Sequence, residues 1–468
     1  MFLKQIELKN LRSIQSMRIS FAGSEPTQNR RWTILLGENG CGKSSALRAI
    51  GLVLSGSEAL ASIIGKPDNW IRNGAKQCTI AAQIETADGK SRDIALELAR
   101  GDTMRDIYKR NDKSLDALDR ALRHASRNYF IAGYGVARRP PSESEAFSKR
   151  EPDFLPPRAQ SIASLYSNDA PLMSLEQWIM QRDYTHGESA LVALKEAVNQ
   201  LLPGMTFSRI DKRQRQVFFK TVDGEVPLGQ LSDGYQNMAA WCGDLLYRIL
   251  QAHPDHNNPL NCRGVLLIDE LDLHLHPVWR RRLVEFLDKT LPNFQIIATT
   301  HSALAAQQCG PDELYVIRRE GRRNLPTLVP FVGEPRNMML HQLLLSPMFG
   351  LSTLDSLAIQ RKKDEARLLA TRKGPLRASE KQRLAELRGE LADTPQWNIA
   401  PKLLQKQLQV LESISAHLGT RASTIPIEKQ KINLALKGLR LPSKVAKSKA
   451  TARIAKRPSA KAKKLGAK

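Results

Sequence analysis

One short segment of the sequence combines glycines, a lysine and a serine at a spacing suited to binding phosphate groups. Residues 37–44 read GENGCGKS and match the pattern G-x-x-x-x-G-K-[ST]. The backbone N–H groups of such a loop surround phosphate oxygens at a helix N-terminus, and its glycines allow close approach. Lys43 is expected on the β- and γ-phosphates, and Ser44 is expected to offer its hydroxyl to Mg²⁺. The segment therefore predicts that Ser44 binds Mg²⁺ and that ATP is bound by the residues Gly37, Glu38, Asn39, Gly40, Cys41, Gly42, Lys43, Ser44 and Ser45.

Two adjacent acids, Asp269 and Glu270, stand where an apolar run ends in the segment GVLLIDELD. The apolar residues before Asp269 predict a buried strand, and ligands of parallel sheets bind at the carboxyl ends of the strands. Asp269 is expected to bind Mg²⁺ directly or through water. Glu270 is placed to orient or deprotonate the water that attacks the γ-phosphate. Together with the phosphate-binding loop, the two acids predict hydrolysis of ATP.

The elements that must position these residues follow an α/β pattern. The apolar run 32–36 predicts a strand that ends at Gly37, and the apolar spacing after Lys43 predicts a helix. Further apolar runs at 265–268 and 296–298 predict buried parallel strands with a helix crossing between them. The predicted fold class is therefore α/β, a P-loop NTPase with a mixed sheet core.

Alternating apolar and polar residues predict further strands outside this core. Residues 3–8 and 17–21 alternate as two half-buried strands should, and residues 80–85 and 94–98 do the same around a turn at 88–89. These strands predict an antiparallel accessory sheet.

The chain is expected to contain five successive regions. They are an ATPase lobe I with the phosphate-binding loop and the accessory sheet (1–100), an inserted helical lobe (101–215), an ATPase lobe II (216–335), a mainly helical C-terminal region for partner docking or dimerisation (336–440), and a disordered basic tail (441–468).

The net charge of +24 is the strongest anomaly of the composition. Eight lysines and two arginines lie within 441–468, which contains no acid, but the remaining chain is basic as well. Such a charge favours a polyanionic partner, and we expect DNA bound without sequence specificity, although RNA and a merely solvated tail stay open.

The spacing of the cysteines and the hydropathy of the sequence indicate the cellular compartment of the protein. The five cysteines are scattered and form no C-x-x-C pair, which argues against a disulfide framework and a zinc site. The sequence contains no apolar run long enough to cross a membrane and no signal-peptide pattern at its start. We therefore expect a cytoplasmic protein that does not associate with membranes.

The segment LSDGYQ, residues 231–236, precedes the acidic strand and opens a predicted helix. It resembles the LSGGQ signature of ABC-type ATPases and, with Asp233 and Tyr235 in place of glycines, the SMC/RecF-like branch. In that family the signature binds the γ-phosphate held by the opposite subunit. The resemblance implies that Ser232, Gly234 and Gln236 contact ATP across a homodimer that forms with ATP.

The resemblance also suggests roles near the nucleotide for residues outside the signature. His301 in IIATTHS matches the switch histidine that reaches the γ-phosphate, so it joins Glu270 as a candidate catalytic residue. Arg12 in KNLRSI matches a basic residue that this branch places near the nucleotide. Arg138 and Arg139, at the expected junction of the lobes, are expected either to meet phosphate or to form ordinary surface pairs.

The motif order, the short insertion and the segment LLLSPMFGLSTLDS at 343–356 are similar to prokaryotic antiphage-defence ATPases, those of the Septu system (PtuA) and of some retrons. The resemblance implies an ATPase whose dimerisation gates a DNA-associated activity together with a separate nuclease partner, often of the HNH type. No nuclease site is recognised in the chain itself. Two alternatives stay open, a RecF-like DNA-repair ATPase and a nucleotide-sensing scaffold with negligible turnover.

Overall fold

The computed structural model describes residues 1–23, 29–86, 89–124, 129–138, 155–187, 191–202, 204–222, 224–254, 258–320, 324–372 and 374–392. The chain divides into two compact units, Met1–Leu354 and Asp355–Lys468. The predicted tail, 441–468, and the part of the predicted helical region after residue 392 lie outside the described residues.

The strands of the described residues are numbered in chain order. They are β1 (Phe2–Leu11), β2 (Ile14–Ser20), β3 (Trp32–Gly37), β4 (Gln77–Glu85), β5 (Ser91–Ala99), β6 (Phe130–Tyr134), β7 (Thr206–Asp211), β8 (Gln216–Thr221), β9 (Gly224–Pro227), β10 (Gly264–Ile268), β11 (Phe294–Thr300), β12 (Leu314–Glu320) and β13 (Leu325–Pro330).

The helices are numbered in the same way. They are α1 (Lys43–Leu54), α2 (Ser57–Ile63), α3 (Met104–His124), α4 (Pro157–Ile162), α5 (Leu175–His186), α6 (Val192–Leu201), α7 (Asp233–Ala252), α8 (Pro277–Thr290), α9 (Ala303–Ala306), α10 (Leu340–Leu344), α11 (Leu357–Thr371) and α12 (Ala378–Ala392).

A mixed six-stranded sheet forms the centre of the first unit, in the order β13-β12-β3-β11-β10-β6. Only β13 runs antiparallel to its neighbour within this set of described strands. Consecutive residues of β10 pack into two different hydrophobic clusters, since Leu266 and Ile268 join one and Val265 and Leu267 the other. Both faces of the sheet are therefore covered, which explains the continuous apolar runs. The predicted fold class, an α/β P-loop architecture with a mixed sheet core, is confirmed.

A second sheet of four antiparallel strands, in the order β2-β1-β4-β5, belongs to the cluster that contains α1. Its inward residues, such as Ile6, Leu8 and Ile80, are fully buried. The predicted antiparallel accessory sheet is thus confirmed in its strands, while Asp88 of the predicted turn lies outside the described residues.

The range predicted as an inserted helical lobe, 101–215, differs from that expectation. It contains helices α3 to α6, but β6 within it pairs in parallel with β10 at the edge of the central sheet. All five residues of β6 are buried, so this range supplies a strand of the central sheet as well as helices. Strand β7, from the end of the range, pairs with β8 in a small three-stranded sheet.

The second unit is described as the helices α11 and α12. Arg383 contacts both carboxylate oxygens of Glu365 at 3.0 and 3.2 Å, and Lys362 pairs with Glu390 at 2.7 Å, so charged contacts join the two helices. None of the described helices is long and apolar enough to cross a membrane.

Candidate functional site

The phosphate-binding loop connects β3 to α1, as the sequence predicts. A Cβ atom at Gly37 would lie 2.2 Å from the carbonyl oxygen of Ile317 on β12, so only glycine fits there. Gly40 and Gly42 have φ angles of 76° and 98°, which are strained for other residues. Gly42 is the N-cap of α1 and has no side chain to occupy the helix N-terminus. The loop therefore keeps the backbone geometry that an anion requires.

Lys43 is buried within the loop, and its Nζ donates to the carbonyls of Gly37 and Glu38 at 2.8 and 2.9 Å. Burial lowers the pKa of Lys43, while the nearby Cys41, Asp269 and Glu270 act in the opposite direction. Its position next to the loop carbonyls is compatible with the phosphate contact predicted for it.

Ser44 and Asp269, which are far apart in the sequence, meet at the carboxyl edge of the central sheet. The Ser44 hydroxyl lies 3.0 Å from Oδ1 of Asp269, which is only 2% exposed. A hydroxyl and a carboxylate are hard oxygen ligands of the kind that Mg²⁺ binds when a phosphate completes its coordination. The described residues contain no cluster of three or more His, Cys, Asp or Glu side chains that would hold a metal alone. The donor set thus fits Mg²⁺ bound together with a nucleotide.

Glu270 follows Asp269 and has an unusual backbone conformation, with a φ angle of 52°. Its N–H donates to the Thr299 hydroxyl at 2.7 Å, and that hydroxyl also donates to Asp269 at 2.6 Å. Thr299 is the penultimate residue of β11, the strand between the loop strand β3 and the acidic strand β10. One threonine therefore organises both predicted acids.

His301 lies directly after β11 and is exposed. Partial burial and then the Lys43 ammonium lower its pKa, and the carboxylates of Glu270, Asp272 and Asp269 oppose this shift. These electrostatic neighbours belong to the same edge of the sheet, and the lowered pKa favours a neutral imidazole at neutral pH.

The segment predicted as a signature opens α7. Ser232 is its N-cap, is exposed, and its side chain makes no capping hydrogen bond. Gly234 packs against the carbonyl oxygen of His274, since a Cβ atom at Gly234 would lie 3.4 Å from it. The Gln236 amide donates to the carbonyls of Gly229 and Leu231 at 3.0 and 2.7 Å. Gln236 is thus engaged within its own loop, whereas the Ser232 hydroxyl faces solvent at a helix N-terminus.

Arg12 contacts an aromatic ring and a backbone carbonyl. Its guanidinium lies over the Trp70 ring, 4.7 Å from the centroid, and Nε donates to the carbonyl of Asn69 at 3.3 Å. The following residues, Ser13 and Ile14, are the ones next to the loop, within 3.2 Å of a Cβ built at Gly42. The geometry places Arg12 on an aromatic ring, and its contact with the nucleotide stays a prediction.

Two residues of the site, Thr299 and Arg319, were not identified from the sequence, and the candidate Arg138 has a backbone carbonyl as its hydrogen-bond partner. Thr299 organises the acids, Arg138 donates to the carbonyl of Glu270 at 2.5 Å, and Arg319 on β12 donates to the carbonyl of Gly40 at 2.8 Å. Arg138 and Thr299 lie at or just beyond the carboxyl ends of strands that flank β10. Their place at the strand ends is the signal that could have singled them out.

Two family models match overlapping parts of the chain. The model described as "AAA ATPase domain" matches residues 1–130, and the model described as "AAA domain, putative AbiEii toxin, Type IV TA system" matches residues 94–306.

Curated relatives with similar sequences are a Septu protein and retron ATPases. The Septu protein PtuA of Bacillus mycoides (strain KBAB4) is 28% identical over 351 residues, which cover 75% of this chain and 45% of that protein. The Retron Ec83 probable ATPase of Escherichia coli is 28% identical over 31% of this chain and 26% of its own length. The Retron Vc95 probable ATPase of Vibrio cholerae serotype O1 biovar El Tor is 39% identical over 20% of this chain and 18% of its own length. The chain thus spans less than half the length of these relatives.

Solved structures that match include an SMC head bound to the C-winged helix domain of ScpA, with 17% identity, 71% of this chain and 98% of that chain covered, and a TM-score of 0.42. The SMC head domain from Thermotoga maritima matches with 16% identity, 71% and 100% coverage, and a TM-score of 0.37.

The sequence relatives agree with the resemblance inferred from the motifs. Both family models describe AAA-type ATPase domains, and together they extend across the phosphate-binding loop, the signature, the acidic strand and His301. The chain is therefore similar in sequence to AAA-type ATPase domains, to the Septu protein PtuA and to the retron ATPases.

Proposed function

We propose that the chain binds ATP with Mg²⁺ and hydrolyses it at the edge of the central sheet. The observation that carries this proposal is the meeting of Ser44 with Asp269 at 3.0 Å, with Glu270 next to them at the same strand end. A phosphate-binding loop, a metal-binding pair and an adjacent acid are the parts that phosphoryl transfer to water requires.

Each part has a distinct role in the proposed reaction. The loop amides and Lys43 bind and orient the β- and γ-phosphates. Ser44 and Asp269 would hold Mg²⁺, which would neutralise charge on the phosphate oxygens. Glu270 orients the attacking water and accepts its proton, and the neutral His301 is available to donate a hydrogen bond to the γ-phosphate.

The signature gives a reason for two copies of the chain. The exposed Ser232 hydroxyl and the N-terminus of α7 form an anion-binding end that is directed to the γ-phosphate held by a second protomer. ATP binding then closes the homodimer, and hydrolysis reopens it. Asp233, which is exposed in the first turn of α7, adds a carboxylate near that phosphate and weakens closure.

DNA is the proposed partner of the ATP-dependent dimer, which would bind the phosphate backbone of the DNA. Net charge supports a polyanionic partner, and Arg92, Arg120 and Arg123 line an open groove of about 520 Å³ beside β5 and the end of α3. Arg120 also pairs with Asp116 at 2.6 Å, an exposed contact that contributes little stability and leaves the guanidinium near the groove.

The similarity to the Septu and retron proteins supports a role in antiphage defence. We propose that closure gates a separate nuclease partner of the HNH type. A RecF-like role in DNA repair is an alternative. It would use the same ATP chemistry in a different cellular process. A nucleotide-sensing scaffold with negligible turnover is the other alternative, and its steady-state ATPase rate would separate it from the leading proposal.

The variants Glu270→Gln and Lys43→Ala test the proposed ATP cycle. Glu270→Gln should retain ATP binding and accumulate as a closed dimer with ATP, measured by light scattering after size exclusion. Lys43→Ala should lose ATP binding and remain unaffected by ATP. Loss of nucleotide binding in Glu270→Gln would contradict the role given to Glu270.

DNA binding is tested separately by its salt dependence and by charge reversal. Affinity should fall steeply as salt rises, because each phosphate contact releases counterions. Changing Arg92, Arg120 and Arg123 to Glu should weaken binding more than the same change at Lys212, Arg213 and Arg215, which are exposed at another turn. Absence of binding at about 50 mM salt would overturn this part of the proposal.

A further inference from the structure

The backbone of Glu270 is held in a conformation that a glutamate seldom adopts. Its φ angle of 52° lies in the left-handed region, which is strained for a non-glycine residue and persists only where the surroundings enforce it. This residue carries the carboxylate that the proposed reaction needs. The groups that enforce the conformation therefore determine where the carboxylate points.

Side chains from both neighbouring strands contact the two backbone polar groups of Glu270. The Thr299 hydroxyl, from β11, accepts its N–H at 2.7 Å. Arg138, four residues after the end of β6, donates Nη2 to its carbonyl oxygen at 2.5 Å. Since β6 and β11 flank β10, the turn at Glu270 is fixed from both sides.

Arg138 is a buried cation, with an exposure of 5%. Burial lowers its pKa to about 10, while the carboxylates of Asp269, Asp272 and Glu270 and the Cys242 thiol act in the opposite direction. The guanidinium thus stays charged at neutral pH. A buried charge with acidic neighbours and a carbonyl acceptor has a fixed position, unlike a mobile surface arginine.

The segment that carries Arg138 also contacts the signature helix. Tyr134, the last residue of β6, accepts the Asp269 N–H on its carbonyl at 2.8 Å. Its hydroxyl donates to Asp244 on α7 at 2.9 Å, and Asp244 pairs with Arg248 at 3.4 Å. The stretch 134–138 therefore touches the helix that begins at the signature and the backbones of both predicted acids.

We propose that Arg138 is a positioning residue that sets the orientation of Glu270 through its carbonyl, and that the stretch 134–138 links this orientation to the signature helix. The inference rests on the proposed ATPase function. It differs from the expectation of a phosphate contact, because the recorded hydrogen bond of Arg138 goes to the protein backbone.

The test compares Arg138→Met and Arg138→Lys with Arg31→Met. Arg31 is a matched control, since it also donates to a backbone carbonyl, that of Leu291 at 2.9 Å, and lies outside the proposed site. The readouts are kcat for ATP hydrolysis and the affinity for a fluorescent ATP analogue. Arg138→Met should lower kcat about 10- to 100-fold, because misplacing a reacting group by an ångström has an effect of this size. Affinity should stay within about twofold, because no ground-state contact with the nucleotide is removed.

A second measurement combines Arg138→Met with Glu270→Gln. Because both changes act on one carboxylate, the double variant should be no slower than Glu270→Gln alone. If Arg138→Met fails to fold, Arg138→Lys is judged by the same criteria, since it keeps the charge among the acids and loses the forked geometry.

Three results would overturn the inference: a parallel loss of affinity and kcat, which indicates a phosphate contact; a kcat equal to that of Arg31→Met; and a further loss in the double variant. A wild-type chain without ATPase activity would instead contradict the proposed function, so the two failures are distinguishable.

Discussion

The hydroxyl of Thr299 donates a hydrogen bond to the carboxylate of Asp269 at 2.6 Å. The same oxygen accepts the N–H of Glu270, and Thr299 is fully buried. Replacement by Val keeps the shape and removes both contacts, so a buried carboxylate and a buried N–H each lose a partner.

Thr299→Val should therefore lower the free energy of unfolding by about 1–3 kcal/mol and reduce kcat, whereas Thr299→Ser should retain most of both. Urea unfolding and steady-state ATP hydrolysis measure the two effects. Equal stability of the Val and Ser variants would contradict the importance assigned to the hydroxyl.

Mixing two inactive variants tests whether the signature acts on the partner's nucleotide. In a mixed dimer of Lys43→Ala and Ser232→Ala chains, one composite site carries both changes and the other carries neither. ATP hydrolysis of the mixture should rise at least about tenfold above either variant alone.

The control for this complementation mixes Lys43→Ala with the double variant Lys43→Ala, Ser232→Ala, because no combination of those chains has an intact site. No rise in the first mixture would mean that Ser232 acts within its own chain or not at all.

Tyr134→Phe removes the buried contact between the central sheet and α7. Tyr134 and Asp244 are 1% and 2% exposed, so the carboxylate cannot recover the lost bond from water. Because the acceptor is an acid, we expect a loss of about 1–3 kcal/mol in the free energy of unfolding, measured with urea.

Tyr166→Phe is the matched control for this change. The Tyr166 hydroxyl donates to the backbone carbonyl of Arg48 at 2.7 Å, a neutral acceptor, and its loss should cost only about 0.5–1.5 kcal/mol. A larger effect at Tyr166 than at Tyr134 would contradict the assigned role of Asp244.

His301 gives a prediction for the pH dependence of catalysis. Partial burial and Lys43 lower its pKa, so protonation of the imidazole begins at a lower pH than for an ordinary histidine. If the neutral form acts, kcat should stay constant as the pH falls from about 8 to about 6.5 and decline only below that. His301→Ala should lower kcat about 100-fold with little change in ATP affinity. A decline of kcat at acidic pH whose midpoint lies above the pKa of an ordinary histidine would contradict the role of a neutral His301.

The parts of the site that the sequence predicts are those encoded in short contiguous patterns. The glycines, Lys43 and Ser44 are fixed by the geometry of one loop, and Asp269 by the strand that precedes it. Their meeting follows from the rule that parallel strands present ligands at their carboxyl ends. Local chemistry and one topological rule are therefore sufficient to predict where these residues lie.

Contacts between distant segments could not be predicted from short contiguous patterns. The place of Arg12 depends on the Trp70 ring, which arrives from a separate turn after α2. Arg138 reaches Glu270 because β6 pairs with β10, and nothing in the sequence around either residue specifies that pairing. Packing between distant segments determines the contacts of both side chains, and local sequence propensity carries no information about such packing.

Strand β3, which carries the phosphate-binding loop, has two neighbours in the central sheet, β11 and β12. Both lie within residues 294–320, so during synthesis on the ribosome β3 leaves the exit tunnel long before either partner strand exists. Until then its apolar edges need protection from other strands, and the nucleotide-binding loop has no scaffold. A nascent chain should accordingly acquire ATP binding late and abruptly, once β12 has emerged and closed the sheet around β3.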